Sequence, residues 1–274
     1  MNMRQLKTKW ADNINEKNVL GEYPRPLMRR KSYVNLNGVW KYAIKDTKGF
    51  PKKMNGDILV PFSPEAALSG VGRQLKPDEF LWYKRSLPEE IRPEAGSRWL
   101  LHFGAVDQCA VVYVNGKKQG KHVGGYLPFS FDVTDALQEE RNILTIKVKD
   151  YSDTYYYSEG KQKLENGGMF YTATKWNLAN GMDRKRFRSI TYKDLKITPL
   201  YDHSSVMIQL EDAAGRKDID YDVTVTARTM WPLKTAGRTG RPCMVRIPHM
   251  RNWSPEDPFL YDVHIKMGND SVES

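Results

Sequence analysis

Short runs of alternating apolar and polar residues, broken by Gly, Pro and Asn, recur along the chain and constrain its fold most strongly. This alternation is typical of strands with one buried and one solvated face, and it occurs at Leu144–Lys149, Tyr221–Thr226 and Leu260–Ile265. The apolar run Ala110–Val114 ends in Asn115-Gly116, which favours a hairpin because both residues tolerate positive φ. Helical periodicity is almost absent, so the sequence predicts an all-β protein built of sandwich domains.

The composition excludes several classes of protein. Hydrophobic residues make up 40% of the 274 residues, which is enough for a core and argues against general disorder. No apolar run approaches the roughly 18 residues of a membrane span. The N-terminus lacks the apolar segment of a signal peptide, which leaves the compartment undetermined and compatible with a periplasmic or secreted parent. Two distant cysteines, Cys109 and Cys243, leave a disulfide open but favour two buried thiols.

A domain boundary is predicted near residue 190, where the dense aromatic motifs stop. The segment Lys193–Pro199 has the pattern of a new strand and opens a second block. The predicted domains are therefore residues 1–190 and residues 191–274. The second domain is slightly shorter than the roughly 100 residues of an immunoglobulin-like sandwich.

Several motifs, distributed over nearly the whole chain, resemble those of one enzyme family and occur in the same order. Tyr23–Pro26 and Tyr33–Trp40 resemble the family's opening motif "YPRP…LNGxW". Leu81–Arg85 is similar to the family's "LWYRR". Gly124–Phe129 and Trp253–Tyr261 resemble later segments of the same enzymes. Each motif alone has low specificity, but together they make the chain resemble the β-galactosidase-type members of glycoside hydrolase family 2.

The resemblance implies a galactose-binding-like jelly-roll sandwich, then an immunoglobulin-like sandwich that is incomplete because it stops within its last strand. In the family a (β/α)₈ barrel of about 250 residues follows and carries both catalytic glutamates. The activity implied for a parent enzyme is retaining hydrolysis of β-galactosides or related β-glycosides, which needs two carboxyls about 5–5.5 Å apart. Because that barrel is missing from this sequence, no catalytic residue is assigned. The chain alone is predicted to be inactive.

One segment departs from the family pattern and is predicted to result from a frameshift. After Phe170–Thr174 the family continues roughly as SGIWQTVW, and Lys175–Tyr192 has no such string. Three single-base insertions would turn SGIWQTVWIESVPEHYI into the observed residues and restore the frame at Lys193. The basic run Arg184–Arg188 would then replace a buried strand, where unpaired charge costs several kcal/mol. Local disorder or a bulged-out loop is therefore predicted there.

The same segment changes the meaning of the net charge. A formal charge of +10 would on its own suggest an anionic partner such as nucleic acid or a membrane surface. Lys175–Tyr192 carries five Lys/Arg and one Asp, whereas the expected string carries two Glu, so the intended protein would be near +4. Neither nucleic acid nor a membrane is predicted as a partner.

Two loops are predicted to shape a sugar subsite, because loops of the family's jelly roll reach the mouth of the barrel. They are Ser69–Arg73 and residues 160–171, and within them Arg73, Gln162 and Tyr171 can hydrogen-bond sugar hydroxyls. Packing against the barrel is an equally good interpretation of these residues. Tyr155–Tyr157 offers aromatic faces, although consecutive strand residues point to opposite sides. The histidines and cysteines lack metal-ligand spacing, so neither a metal nor a cofactor is predicted.

Two functions from different classes follow. The first is a non-catalytic scaffold that supplies subsite loops to the missing barrel, with a β-galactoside or related β-glycoside as ligand. The alternative is a stand-alone carbohydrate-binding module, which binds sugar without a barrel. Saturable binding of a simple glycoside by the isolated chain would favour the module.

Overall fold

A computed structural model of the chain confirms the predicted all-β fold. It describes residues 9, 11–14, 16–17, 19–21, 29–95, 97–151, 181–186, 192–212, 215–268 and 270–274, with the backbone alone for residues 181–186 and 192–194. Within these residues there is no α-helix, and short 3₁₀-helices lie at Ala11–Asn13, Ala67–Ser69, Thr134–Ala136 and Tyr201–His203. The strands are β1 (Tyr33–Val34), β2 (Gly38–Lys45), β3 (Gly56–Val60), β4 (Phe80–Ser86), β5 (Ser97–Phe103), β6 (Cys109–Val114), β7 (Lys117–Val123), β8 (Phe129–Asp132), β9 (Ile143–Lys149), β10 (Gly181–Arg186), β11 (Tyr192–Leu200), β12 (Ser205–Asp212), β13 (Asp220–Ala227), β14 (Met230–Arg238), β15 (Cys243–Arg246), β16 (Asp262–Met267) and β17 (Asp270–Glu273).

The chain divides into two compact units, which are described separately. The first unit comprises Met1–Glu22 and Tyr33–Arg184, and the second comprises Tyr23–Ser32 and Lys185–Ser274. The domain limits predicted from the sequence, residues 190 and 191, stay a prediction.

The first unit is a sandwich of two sheets. The six-stranded sheet has the order β3-β2-β4-β9-β6-β7, and the four-stranded sheet has the order β1-β10-β5-β8. Alternation along β9 is strict, since Leu144, Ile146 and Val148 are fully buried and the residues between them are partly exposed. Buried side chains of both sheets form one core, which includes Tyr83 and Phe103. This two-layer arrangement is the one that a jelly-roll sandwich requires.

Two buried tryptophans lie on opposite faces of the six-stranded sheet. Trp40 and Trp82 are each 1% exposed. Trp40 belongs to the main core, whereas Trp82 packs with Ala43 and Phe80 in a separate small cluster on the outer face. Successive strand residues point to opposite sides, so β4 buries apolar side chains on both faces. A third aromatic residue, Phe129, is only partly buried and packs against the main core.

Strand β10 corrects one expectation about the basic segment. It lies between β1 and β5, and its register pairs Met182 with Val34 and Asp183 with Tyr33. The prediction of disorder or a bulged-out loop is therefore wrong for the backbone up to Arg186, because ladder hydrogen bonds join backbone groups whatever the side chains are. Residues 187–191 lie outside the described residues. The frameshift itself stays a prediction, which the gene sequence across codons 174–193 tests.

The second unit is also a two-sheet sandwich. Its sheets have the orders β11-β12-β15 and β14-β13-β16-β17, and their facing side chains form a core that includes Tyr221, Ile265 and Met267. Seven strands divided as four and three are the strand numbers of a constant-type immunoglobulin-like domain. The predicted truncation within the last strand stays a prediction.

An N-terminal segment pairs with the last strand of the second unit. The Arg29 amide donates to the Glu273 carbonyl at 2.9 Å, and the Glu273 amide donates to the Arg29 carbonyl at 3.1 Å. The Arg30 guanidinium makes two hydrogen bonds of 3.3 Å to the Asp270 carboxylate, 240 residues away. No local sequence pattern predicts a pairing over that separation.

The cysteines do not form a disulfide. Both are free thiols; Cys243 is buried and Cys109 is partly buried. Burial raises the pKa of both thiols, which makes them poor nucleophiles at neutral pH. The preferred expectation of two thiols is confirmed, and Cys109 is more accessible than expected.

Asp132→Asn is expected to lower the free energy of unfolding by at most about 1 kcal/mol at pH 7, because the carboxylate is partly exposed. Asp132 accepts hydrogen bonds from Arg98 at 2.6 Å and from the Thr134 hydroxyl at 2.7 Å. Burial alone raises the pKa of Asp132, but these hydrogen bonds outweigh burial and lower it. The stabilisation is therefore present above the ordinary pKa of about 3.9 and is lost as the pH falls through the lowered one.

Urea unfolding at pH 7 and pH 3 measures this difference. The wild-type and Asp132→Asn proteins should differ most at pH 7, and the difference should be smaller at pH 3, below the ordinary pKa of the carboxyl group. Asp135→Asn is the control, since that side chain is 82% exposed and should contribute less. An equal loss at both pH values would contradict the explanation.

Candidate functional site

Loops at one end of the six-stranded sheet form the candidate site. We call it the upper end of the sheet, because β4 begins and β9 ends there. The pairing register at this end places Cys109 opposite both Lys149 and Val123. Antiparallel pairing therefore brings three segments to the same end: the loop before β4, the residues before β6, and the loop after β7. The chain also leaves β9 at this end, after Lys149.

The loop before β4 is tightly organised around Arg73. The Ser69 hydroxyl donates to the Pro64 carbonyl at 3.3 Å and accepts from the Val71 amide at 3.0 Å. The Arg73 amide donates to the Pro64 carbonyl at 3.0 Å. The Arg73 guanidinium forms an ion pair with Glu79, yet its side chain remains 46% exposed. An arginine fork held by a carboxylate can still donate its outer N–H groups to hydroxyls.

The other two segments meet where Gly124 and Gly125 contact Asp107 and Gln108, and we call this meeting point the glycine corner. The Gly124 amide donates to the Gln108 carbonyl at 2.8 Å. A Cβ added at Gly125 would lie 2.4 Å from the nearest Asp107 carboxylate oxygen, so only glycine fits there. Asp107 is 4% exposed and is therefore held deep in the corner. The Gly124-Gly125 pair is what allows the loop after β7 to approach the start of β6 so closely.

Among the described residues, two buried polar atoms of this corner find no hydrogen-bond partner, namely Oε1 of Gln108 and Nε2 of His122. The His122 ring stacks on Phe129 with centroids 4.0 Å apart, which fixes its orientation. Buried polar atoms are almost always satisfied by protein, water or ligand. The Gln108 oxygen can therefore accept a hydrogen bond from a hydroxyl or water that reaches the corner, and the His122 nitrogen can accept or donate one according to its tautomer.

Exposed apolar side chains follow the two glycines in the same loop. Tyr126 is 61% exposed and Leu127 is 70% exposed, on the loop that follows the two glycines. A ring face next to a few fixed polar groups is a common arrangement in ligand sites. The corner combines both elements needed to hold a sugar, an apolar face and hydroxyl partners.

The structure describes only part of the predicted site. Arg73 lies in the loop that leads to the upper end, as an exposed, ion-paired side chain. Gln162, Tyr171 and Tyr155–Tyr157 lie outside the described residues. Gln108, His122 and Tyr126 were not predicted as site residues. Their only sequence signal is the glycine pair, because burial without a partner cannot be seen in a sequence.

The described residues contain no group of three or more His, Cys, Asp or Glu side chains that could hold a metal ion. In the same part of the chain, none of the helices has the length and apolar character of a membrane span.

Gly125→Ala is expected to destabilise the first unit by about 1–3 kcal/mol, the usual cost of overpacking. Its Cβ would contact the carboxylate, carboxyl carbon and Cβ of Asp107, all closer than 3 Å. Gly49→Ala is the matched control, since nothing lies within 4 Å of its added Cβ. Thermal unfolding of both variants measures the difference, and an unchanged melting temperature for Gly125→Ala would contradict the geometry.

Comparison with known proteins finds a family that matches part of the chain, and this part includes the glycine corner. Residues 73–179 match the family described as "Glycosyl hydrolases family 2, sugar binding domain". The beta-galactosidase of Thermoanaerobacter pseudethanolicus is 24% identical over 208 residues, which cover 68% of this chain and 26% of that protein. The beta-glucuronidase of Felis catus is 32% identical over 133 residues, covering 42% of this chain and 20% of that protein.

Solved structures support the fold. A beta-glucuronidase from an uncultured Clostridium species superimposes with a TM-score of 0.64 and 20% identity, covering 90% of this chain and 45% of that one. A Faecalibacterium prausnitzii beta-glucuronidase gives a TM-score of 0.63 and 22% identity, with 92% and 47% coverage. The chain thus spans less than half the length of these relatives and structures.

Proposed function

Because the chain belongs to glycoside hydrolase family 2, as an N-terminal portion with the sugar-binding domain, we propose that it is a non-catalytic part of a β-glycosidase. Its upper end holds a β-glycoside with Arg73 and the glycine corner, while the catalytic carboxylates belong to a (β/α)₈ barrel domain of the whole enzyme. The residues contribute orientation and hydrogen bonds, and they carry out no bond cleavage themselves.

One observation carries this proposal. The match to the sugar-binding domain runs from residue 73 to residue 179, and it includes Arg73 and the whole glycine corner. Within that range lie the two unsatisfied polar atoms of Gln108 and His122 and the exposed ring of Tyr126. Buried polar atoms are normally satisfied by protein, water or ligand, so these two atoms are open to a partner.

The ligand proposed is a β-galactoside or a β-glucuronide. Relatives named for each of these sugars match the chain at comparable identity, 24% for one beta-galactosidase and 25% for the human beta-glucuronidase. Both ligands offer several hydroxyls to the polar atoms of the upper end. Binding of the monosaccharide by this part alone should be weak, because a few exposed polar contacts barely offset the cost of association.

The barrel is the proposed partner. Support comes from a groove of about 200 Å³ in the second unit, which is lined mainly by apolar side chains. Tyr201, Trp253 and Leu260 line it and are 55%, 56% and 72% exposed. Relatives that are two to four times as long as the matched portion have additional chain to cover such a surface.

The alternative is a stand-alone carbohydrate-binding module, which the same unsatisfied atoms favour. Calorimetric titration of the purified chain with methyl β-galactoside and methyl β-glucuronide separates the two. The scaffold predicts millimolar or undetectable binding. Saturable binding at micromolar concentration, lost in a His122→Ala variant, would replace the scaffold by the module.

A further inference from the structure

The outer face of the six-stranded sheet carries a concentration of lysines. Alternation along the strands and the pairing register identify which residues face away from the main core. Among those outward positions of the described strands, seven hold lysine and one holds a carboxylate, Asp57. We call this surface the lysine face; its lysines are Lys41, Lys45, Lys84, Lys118, Lys121, Lys147 and Lys149.

The lysines occupy neighbouring positions in the sheet. The register pairs Lys41 with Lys84, and it pairs Val111 with both Lys121 and Lys147. Adjacent strands lie about 4.8 Å apart, and alternate residues along a strand lie about 6.8 Å apart. Like charges at this spacing repel each other, and a bound polyanion would relieve the repulsion.

Two of these lysines lie over aromatic rings that are buried beneath the lysine face. The Lys147 ammonium lies 5.4 Å from the ring centroids of both Phe80 and Trp82, and that of Lys149 lies 4.4 Å from Phe80. Burial lowers the pKa of Lys147, and the charges of Lys48 and Lys118 lower it further. Asp57 is already engaged, 2.7 Å from Lys41.

A cleft of about 760 Å³ opens at one edge of the lysine face. Lys41, Lys84 and Arg141 contribute positive charge to its lining, and Asp57 contributes negative charge. The Arg141 guanidinium donates to the Ser86 hydroxyl at 3.2 Å, which positions its charge at the rim. The cleft adds depth and hydrogen-bonding groups to a face that is otherwise flat.

We propose that the lysine face binds an anionic polysaccharide of repeating uronic acids. The choice of a carbohydrate polymer rests on the proposed function of the chain. A polyuronide presents one carboxylate per sugar ring, so it can meet ammonium groups on successive strands. Lysine suits this role because it acts as a mobile point charge and needs no fixed bidentate geometry. Such binding would hold the enzyme on a charged glycan.

Single-stranded nucleic acid fits this face less well. Its affinity depends on bases stacking on exposed rings as well as on charge. Phe80 and Trp82 are only 6% and 1% exposed, and Phe50 packs over Trp82 with ring centroids 4.9 Å apart. Phe50 itself is 53% exposed, so among the described residues the face offers much charge and a limited ring surface for stacking.

Binding of the full chain to polygalacturonate at low salt, measured by calorimetry, tests the proposal. The test variant carries Lys84→Gln, Lys118→Gln and Lys121→Gln, which are exposed positions and should leave the fold intact. The control variant carries the same change of net charge at exposed lysines of the second unit: Lys217→Gln, Lys234→Gln and Lys266→Gln. Dextran, a single-stranded DNA oligomer and anionic lipid vesicles are the comparison ligands.

The expected result is saturable, salt-sensitive binding to polygalacturonate and none to dextran. Affinity should fall about tenfold in the test variant, roughly twofold for each lysine, and less than about twofold in the control. Equal losses of affinity in the two variants, or no binding by the wild-type chain, would overturn the proposal that the lysine face is the binding surface. DNA or vesicles bound as tightly as polygalacturonate would overturn the choice of glycan. These outcomes are independent of whether the chain binds methyl glycosides, so the proposed function can fail separately.

Discussion

Trp40→Ala should lower the free energy of unfolding of the first unit by about 3–5 kcal/mol, the range for removal of a buried aromatic side chain. Trp40 is 1% exposed, and its ring lies edge-on to Tyr83 with centroids 6.4 Å apart. Its indole N–H donates to the Leu36 carbonyl at 2.8 Å, so the variant loses a buried hydrogen bond as well as packing. A loss of this size is comparable to the entire stability of many domains.

Chemical unfolding followed by circular dichroism measures the effect. Trp231→Ala is the matched control, because that side chain is 90% exposed and its removal should change stability by less than about 0.5 kcal/mol. Similar losses for the two tryptophans would show that Trp40 does not fill the core as described.

Arg216→Ala is expected to destabilise the second unit clearly more than the loss of an exposed ion pair does, because it leaves the buried Asp212 carboxylate without its bidentate partner. The Asp212 side chain is fully buried, and it accepts bonds from Nε and Nη2 of Arg216 at 2.8 and 2.9 Å. The control is Arg241→Ala, which breaks an ion pair with Asp218 whose two side chains are 66% and 50% exposed. That pair should contribute less than about 1 kcal/mol. Equal effects of the two substitutions in urea unfolding would contradict this difference in burial.

Alternating patterns located strands well but not their ends. Leu144–Lys149 and Tyr221–Thr226 fall within β9 and β13. The third pattern, Leu260–Ile265, begins two residues before β16, and Leu260 is 72% exposed. Strand ends depend on the partner: β16 begins at Asp262, where its pairing with β13 begins. A local pattern does not contain that information.

The sequence also could not show where positive charge is concentrated on the folded surface. In the sequence, basic residues cluster in the segment Lys175–Tyr192, whereas the register of the six-stranded sheet aligns lysines from four separate strands on one face. Lys41 and Lys121 are 80 residues apart in the sequence, and only strand order brings them to one surface. The unsatisfied polar atoms of the glycine corner could not be predicted from the sequence either, because whether such an atom finds a partner depends on non-local packing.

This chain is proposed to orient a β-glycoside without cleaving it. The direct measurement is release of nitrophenol from nitrophenyl β-galactoside and nitrophenyl β-glucuronide by the purified chain. No release above the buffer rate is expected at any substrate concentration. Turnover that saturates with substrate and co-purifies with the chain would contradict it, because catalytic carboxylates would then lie within these residues.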